Sequence, residues 1–151
     1  MKTPILTMYN GTLPHWRMDG STYFVTWRLD ASLVPLGGEE RTLVADAIIH
    51  FTGVRYDVAA YVIMDDHVHV LVTPAEGVSL QGIVHNWKSF TANRLQRNFA
   101  RLGKIWQGEY FDRIVRDEHE LMEKINYILN NPVKRWPELA EYKWADCSSC
   151  L

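Results

Sequence analysis

Two apolar segments separated by only two residues constrain the fold of this chain more than any other feature. DVAAYVIM (57–64) and HVHVLVTP (67–74) are rich in β-branched residues, and each has the length of a strand. The Asp65-Asp66 pair between them allows only a tight connection, so the two segments are predicted to be neighbouring strands. The rest of the chain must cover the apolar side of this pair.

The flanking segments predict an alternation of strands and helices. STYFVTWRLD (21–30) is predicted to be a strand, followed by a helix from near Gly38 and, after the strand pair, a long helix from about Ser79. A fourth strand is expected over 110–116, and EHELMEKINYILNN should form a last helix that stops at Pro132. The order β-α-β-β-α-β-α is typical of a ferredoxin-like or RRM-like α+β sandwich. Such a sandwich has an antiparallel four-stranded sheet with helices on one face, here plus a C-terminal helix, and its other face is open.

Length and composition indicate one folded domain. The 151 residues are 47% apolar and 23% charged, as in globular proteins, so we expect a single domain over 1–151 with a tail over 136–151. The tail aromatics, Trp136, Tyr142 and Trp144, are expected to lie back on the body. No apolar run would span a bilayer, and a cytoplasmic protein is expected. The terminal CSSC, with Cys147 and Cys150, indicates an ordinary tail, a redox pair or half a zinc site.

Two histidines lie one residue apart in the third predicted strand. Alternate strand residues share a face, so His67 and His69 point to one side while the intervening valines point to the core. The two imidazoles are then close enough to bind one metal ion, although they can also be ordinary polar residues of a half-exposed strand. Two imidazoles alone make an incomplete metal site.

The last predicted helix offers a third ligand. Its apolar residues form one arc centred on Ile125, whereas Tyr127 falls on the far side with Asn131 one turn later. Tyr127 is then either a half-exposed surface residue or packs on a neighbouring element. The amide oxygen of Asn131 could complete a metal shell and place the Tyr127 hydroxyl beside the ion. A divalent ion polarises a phosphate oxygen, and a tyrosine can attack the phosphorus covalently.

A stretch without acidic residues follows the histidine strand. Between residues 77 and 108 there is no Asp or Glu, but there are five basic residues: Lys88, Arg94, Arg97, Arg101 and Lys104. The stretch is either a solvated helix face or a surface that binds a polyanion. The net charge of the whole chain is only −2, so it is not a general polycation.

Several motifs in the same order resemble one family. MDDHVHVLVTP, WKSFTANRLQR, WQGEYFDRIVRDEHEL and YILNNPVKRW resemble the HUH single-strand DNA transposases, and within them the REP-associated tyrosine transposases. The opening LPHW and the segment YFVTWRL also look like that branch, and the resemblance covers roughly residues 11–136. It implies a ferredoxin-like fold with a C-terminal catalytic helix.

The resemblance assigns a role to each residue of the candidate site. It implies that His67, His69 and Asn131 bind Mg²⁺ or Mn²⁺ and that Tyr127 is the catalytic nucleophile. The implied activity is cleavage and rejoining of single-stranded DNA near palindromic hairpins through a covalent 5′-phosphotyrosine. The alternative is a non-catalytic protein of the same fold that binds structured nucleic acid. Tyr110 is the rival nucleophile, but it is expected to be structural or to contact DNA.

The implied partner is hairpin DNA, bound by a monomer or a homodimer. The basic residues of the acid-free stretch would contact phosphates. His15, Trp16 and Arg17 would contact unpaired bases, unless these residues close the edge of the sheet. Asp65 and Asp66 are expected to form the turn and orient a nearby imidazole rather than bind metal.

Overall fold

The computed structural model describes residues 20–148, which form one antiparallel sheet and three helices. The elements are β1 (Tyr23–Leu29), α1 (Gly38–His50), β2 (Tyr56–Ile63), β3 (His67–Pro74), α2 (Leu80–Phe99), β4 (Trp106–Ile114), α3 (Glu118–Arg135) and β5 (Ala145–Cys147). The strand order is β4-β1-β3-β2-β5. The ferredoxin-like α+β fold is therefore confirmed, but the prediction of four strands was wrong, because the tail adds β5 beside β2.

Helices cover both faces of the sheet: α1 and α2 lie on the first face, and α3, the C-terminal helix predicted in addition to them, lies on the second. On the first face, Val68, Val70 and Val72 pack in a core with residues of α1 and α2. On the second face, Leu71 packs with the apolar arc of α3, including Ile125. α3 lies over β2, β3 and β5, so the second face is not fully open. Successive side chains of β3 point to opposite faces of the sheet, so this strand contributes to two separate cores.

The first residues of α1 and α2 were predicted correctly. Ser79 caps α2, since its Oγ accepts a hydrogen bond of 3.0 Å from the Gly82 amide. The predicted end of α3 at Pro132 was wrong, because the helix continues to Arg135. Proline removes one hydrogen bond of the helix, but here its ring is buried among the apolar residues that hold α3 on the sheet. The fourth strand begins at Trp106, four residues earlier than predicted.

The tail lies back on the body, as predicted. Tyr142 donates a hydrogen bond of 2.7 Å to the Ile63 carbonyl, and Trp144 donates one of 2.8 Å to the Thr42 hydroxyl. The ring of Trp136 stacks on Tyr142 at 5.7 Å between centroids. These contacts bring the tail to the edge of β2, where β5 pairs with it. No helix within residues 20–148 is long and apolar enough to cross a lipid bilayer.

An ion pair joins the start of α3 to the end of β4. Arg113 donates a hydrogen bond of 2.7 Å to Glu120 Oε2, and the Arg116 amide donates one of 2.8 Å to Oε1. These contacts lower the pKa of Glu120 to about 2 from its usual 4.5. Because the pKa is lower in the folded state, the carboxylate stabilises the fold above about pH 4.5, and this contribution is lost as the pH falls towards 2.

We therefore expect Glu120→Gln to lower the unfolding temperature at pH 7 and to have a diminishing effect as the pH falls below 4. Thermal unfolding of both proteins from pH 2 to 8 measures this difference. Glu123→Gln, an exposed position on the same helix, is the matched control. A destabilisation that is equal at pH 2.5 and pH 7 would contradict the assigned role of the Glu120 charge.

Candidate active site

β3 presents its two histidines side by side on the second face of the sheet. The ring centroids of His67 and His69 are 4.7 Å apart. The intervening Val68 is buried in the first core, as the alternation predicted. His69 is 5% exposed, so one imidazole of the pair is almost wholly enclosed.

The two ring nitrogens of His69 have different surroundings. Nδ1 lies 2.7 Å from the Thr26 hydroxyl on β1, whereas the buried Nε2 has no hydrogen-bonding partner among the described residues. Burial above all, together with electrostatic effects of His67, Arg28 and Lys124, lowers the pKa of His69 to about 3. The ring is therefore neutral at pH 7. With the proton on Nδ1 and donated to Thr26, the lone pair of Nε2 is free to bind a ligand.

His67 is held by the turn that precedes it. Its Nδ1 donates a hydrogen bond of 2.7 Å to Asp66 Oδ1. Asp65 Oδ2 in turn accepts a hydrogen bond of 3.0 Å from Arg135, whose guanidinium also lies 3.6 Å from Asp66. The expectation that the turn orients an imidazole is confirmed, with Asp66 as the residue that does so.

Arg135 links the histidine strand to the helix that carries Tyr127. It is the last residue of α3, and it contacts Asp65 across 70 positions of the chain. No local pattern signals the contact, because it arises only when α3 continues past Pro132 and packs on the sheet.

Tyr127 lies next to the histidine pair, at the edge of the helix face that packs on the sheet. Its ring centroid is 5.5 Å from that of His69 and 6.0 Å from that of Phe24 on β1. The residue is 42% exposed, so it combines contact with the sheet and access to solvent. Lys134 places its Nζ 5.5 Å from the centre of the Tyr127 ring. Tyr127 therefore matches both alternatives left open for it, since it packs on neighbouring strands and is still partly exposed.

Asn131 lies one helical turn after Tyr127 and is 9% exposed. Within residues 20–148, no three His, Cys, Asp or Glu side chains gather in a metal-binding arrangement. A metal held by the two imidazoles would therefore take its further ligands from another class of group, and the Asn131 amide stays the prediction for one of them. The buried, unpartnered Nε2 of His69 fits such an ion, since a bound metal would satisfy that nitrogen.

The basic residues of the acid-free stretch fall into two groups. Arg94, Arg97 and Lys104 are exposed on α2 and on the loop after it. Lys88 and Arg101 instead bind other residues of the chain. Lys88 donates a hydrogen bond of 2.8 Å to the Gln107 carbonyl, and Arg101 forms an ion pair with Glu40. Arg101 also donates to the carbonyls of Val34 and Pro35, so its guanidinium stabilises the loop before α1. His15, Trp16 and Arg17 lie outside the described residues.

A groove runs between α2 and β4. Its volume is about 480 Å³, and its lining includes Lys88, Lys104, His85 and Gln96. Tyr110 also lines this groove and packs against the first core. The rival tyrosine is therefore on the opposite side of the sheet from the histidine pair.

Two solved structures resemble this chain. A solved structure described as a REP-associated tyrosine transposase bound to a REP hairpin superposes with a TM-score of 0.69 at 21% identity, over 89% of this chain and 81% of that one. A candidate transposase from Deinococcus radiodurans R1 gives a TM-score of 0.57 at 19% identity, over 81% of this chain and 97% of that one. Both likenesses confirm the fold.

A sequence relative and a family match extend the comparison. An uncharacterized protein of Haemophilus influenzae is 27% identical, and the alignment covers 55% of this chain and 57% of that protein. The chain thus spans little more than half the length of this relative. Residues 45–131, which include both histidines, Tyr127 and Asn131, match the family of IS200-like transposases. This match extends over more than half of the sequence, and the chain therefore belongs to the IS200-like transposase family.

Proposed function

We propose that this transposase cleaves and rejoins single-stranded DNA beside hairpins, with Tyr127 as the nucleophile. The observation that carries the proposal is the position of Tyr127 beside His69, whose buried Nε2 has no partner among the described residues. His67, His69 and Asn131 would hold a divalent ion, Mg²⁺ or Mn²⁺. Such an ion would polarise a phosphate oxygen and stabilise the charge that develops on the phosphate.

Tyr127 would carry the covalent step. Its phenol oxygen attacks the scissile phosphorus, loses its proton to solvent and forms a new O–P bond. The bond from phosphorus to the 3′ oxygen breaks, and that oxygen takes up a proton to become a free 3′-hydroxyl. The 5′ phosphate remains on Tyr127. Attack by a 3′-hydroxyl reverses the step and rejoins DNA without an external energy source.

Three neighbouring side chains support this role. Tyr127 is partly exposed and its ring is fixed by Phe24 and His69, so the hydroxyl is accessible and oriented at once. Lys134, close to the same ring, adds a positive charge where an approaching phosphate would lie. A solvent-exposed tyrosine without these neighbours would serve the reaction poorly.

The REP-associated branch is the subgroup that we propose for this chain, with a DNA hairpin as its partner. The solved relative of this fold is described as bound to a REP hairpin. In this chain Arg94, Arg97 and Lys104 are exposed and have no acidic residue between 77 and 108 to oppose them. Lysine and arginine neutralise backbone phosphates whatever the sequence, so this surface fits the stem of a hairpin.

The test is incubation of the protein with Mn²⁺ or Mg²⁺ and labelled single-stranded DNA that contains an imperfect palindrome. Denaturing gels that retain the protein should show a covalent band that requires the metal. Tight binding of such hairpins without a band would favour the non-catalytic alternative. Cleavage without a band would indicate hydrolysis by water instead of attack by Tyr127.

Asp66→Asn should weaken the site without unfolding the protein. The substitution preserves the size of the side chain but removes the carboxylate that fixes His67, and partners of this kind affect metal affinity by about 10- to 100-fold. Calorimetric titration with Mn²⁺ measures the change. Glu76→Gln, at an exposed position after β3, is the control. An unchanged Mn²⁺ affinity in the Asp66 variant would contradict the role assigned to Asp66 in orienting His67.

A further inference from the structure

An exposed aromatic side chain lies on the same sheet face as the candidate active site. Phe111 in β4 is 69% exposed. It is paired with Thr26 on β1, and Thr26 is paired in turn with His69 on β3. Directly paired residues of antiparallel strands point to the same face, so Phe111, Thr26 and His69 form one row across three strands. Two strand spacings separate Phe111 from His69, about 10 Å.

The part of the sheet around Phe111 is left uncovered by α3. That helix lies on the same face but packs on β2, β3 and β5, towards the opposite edge of the sheet. Arg28 on β1 is exposed. It lies on the same face as His67, because the two residues are paired across the strands. We call the area of β1 and β4 between Arg28 and Phe111, which α3 leaves uncovered, the β1–β4 strip. It borders the histidine pair and Tyr127.

The charges around the β1–β4 strip suit a polyanion. Lys124 Nζ lies 5.1 Å from the centre of the Phe24 ring. The Arg28 side chain makes no hydrogen bond or ion pair with another described residue, although its charge acts on Asp66, which is already bonded to His67. The neighbouring carboxylate of Glu120 is already paired with Arg113. Glu109 is the remaining acidic residue of β4 expected on this face, since Asp112 alternates to the other side. Positive side chains thus outnumber free carboxylates.

We propose that the β1–β4 strip binds the unpaired DNA next to the scissile phosphate, with a base stacked on Phe111 and a backbone phosphate on Arg28. This inference rests on the proposed function, because it takes the site of Tyr127 as the place of cleavage. Exposed aromatics on a sheet face bind bases of single strands by stacking, and stacking tolerates any base. A span of about 10 Å is covered by a few nucleotides.

The arrangement gives Phe111 a positioning role. A base held on Phe111 fixes the strand at a short distance from His69 and Tyr127, so the scissile phosphate enters the site in a limited set of orientations. The hairpin stem would be held elsewhere, by the exposed basic residues of α2. Stem binding and strand positioning would then depend on opposite faces of the sheet.

The first experiment measures binding of fluorescein-labelled oligo(dT), a probe that cannot form a hairpin, by fluorescence anisotropy. Phe111→Ala is expected to weaken binding by about 5- to 150-fold, the loss typical of one stacked base, and Phe111→Trp should retain affinity. Ile114→Ala is the matched control, because Ile114 is 47% exposed on the same strand but faces the other way. Circular dichroism verifies that each variant is folded.

The salt dependence tests Arg28 separately. Each phosphate contact to a single strand contributes about −0.7 to the slope of log K against log salt concentration. Arg28→Gln should therefore reduce the steepness of this slope by about 0.7, whereas Phe111→Ala should leave it unchanged. Equal affinity of wild type and Phe111→Ala for oligo(dT), or failure of the wild type to bind it at low salt, would overturn the proposal.

The covalent-adduct assay separates this inference from the proposed function. If the wild type forms the tyrosine adduct but Phe111→Ala binds and cleaves equally well, the β1–β4 strip is not a strand-binding surface and the nuclease stands. If Phe111→Ala weakens oligo(dT) binding but the wild type forms no adduct on any hairpin, the strip stands and the nuclease fails.

Discussion

Tyr127→Phe is expected to abolish the covalent protein–DNA adduct while leaving hairpin binding unchanged. The substitution removes only the hydroxyl, and the ring keeps its contacts with His69 and Phe24. If that oxygen is the nucleophile, cleavage should fall by about 1000-fold or more. Binding should persist, because the exposed basic residues that we assign to the stem lie on α2 and on the loop after it.

Denaturing gels measure the adduct, and gel-shift titration measures hairpin affinity. Tyr110→Phe is the matched control, because it removes the same hydroxyl from the tyrosine on the opposite face of the sheet. Cleavage that persists in the Tyr127 variant and disappears in the Tyr110 variant would reverse the assignment. Cleavage that persists in both variants would show that neither tyrosine is the nucleophile.

Replacing His69 should separate stability from activity. In a double variant, His69→Phe and Thr26→Val, both partners of a buried hydrogen bond become apolar groups of similar shape. Such a replacement is nearly neutral or stabilising, and it also removes the buried Nε2 that lacks a partner. If Nε2 binds the ion, the same variant should lose Mn²⁺ affinity and cleavage by more than about 100-fold.

Thermal unfolding, Mn²⁺ titration and the adduct assay together measure this effect. Thr26→Val alone is the control, since it removes the hydrogen bond but keeps both ring nitrogens. An unfolding temperature at or above that of the wild type, with activity lost, would assign His69 to function. Full activity in the double variant would show that His69 is not a ligand.

Local patterns were sufficient to predict much of the fold. The strand pair around Asp65-Asp66, the starts of α1 and α2 and the apolar arc of α3 depend on periodicity and on caps, which involve neighbouring residues. The same periodicity put His67 and His69 on one face. These features follow from a few consecutive residues, so the sequence alone is enough to recognise them.

Long-range contacts account for what was mispredicted. α3 passes Pro132 because its buried face packs on the sheet, and that packing outweighs the loss of one helical hydrogen bond. β5 forms because the tail aromatics anchor it beside β2. The pairing of Arg101 with Glu40, 61 positions away, was not predicted either. None of these partners can be identified from a local pattern.

The sequence by itself determined which strand holds the histidine pair and which helix holds Tyr127. Only the tertiary structure decided that α3 crosses the histidine face, that Arg135 joins it to Asp65, and that Phe111 remains exposed beside the site. The physical reason is the distance along the chain over which each effect acts. Strand and helix periodicity act over a few residues, whereas burial of a helix on a sheet depends on surfaces assembled from the whole chain.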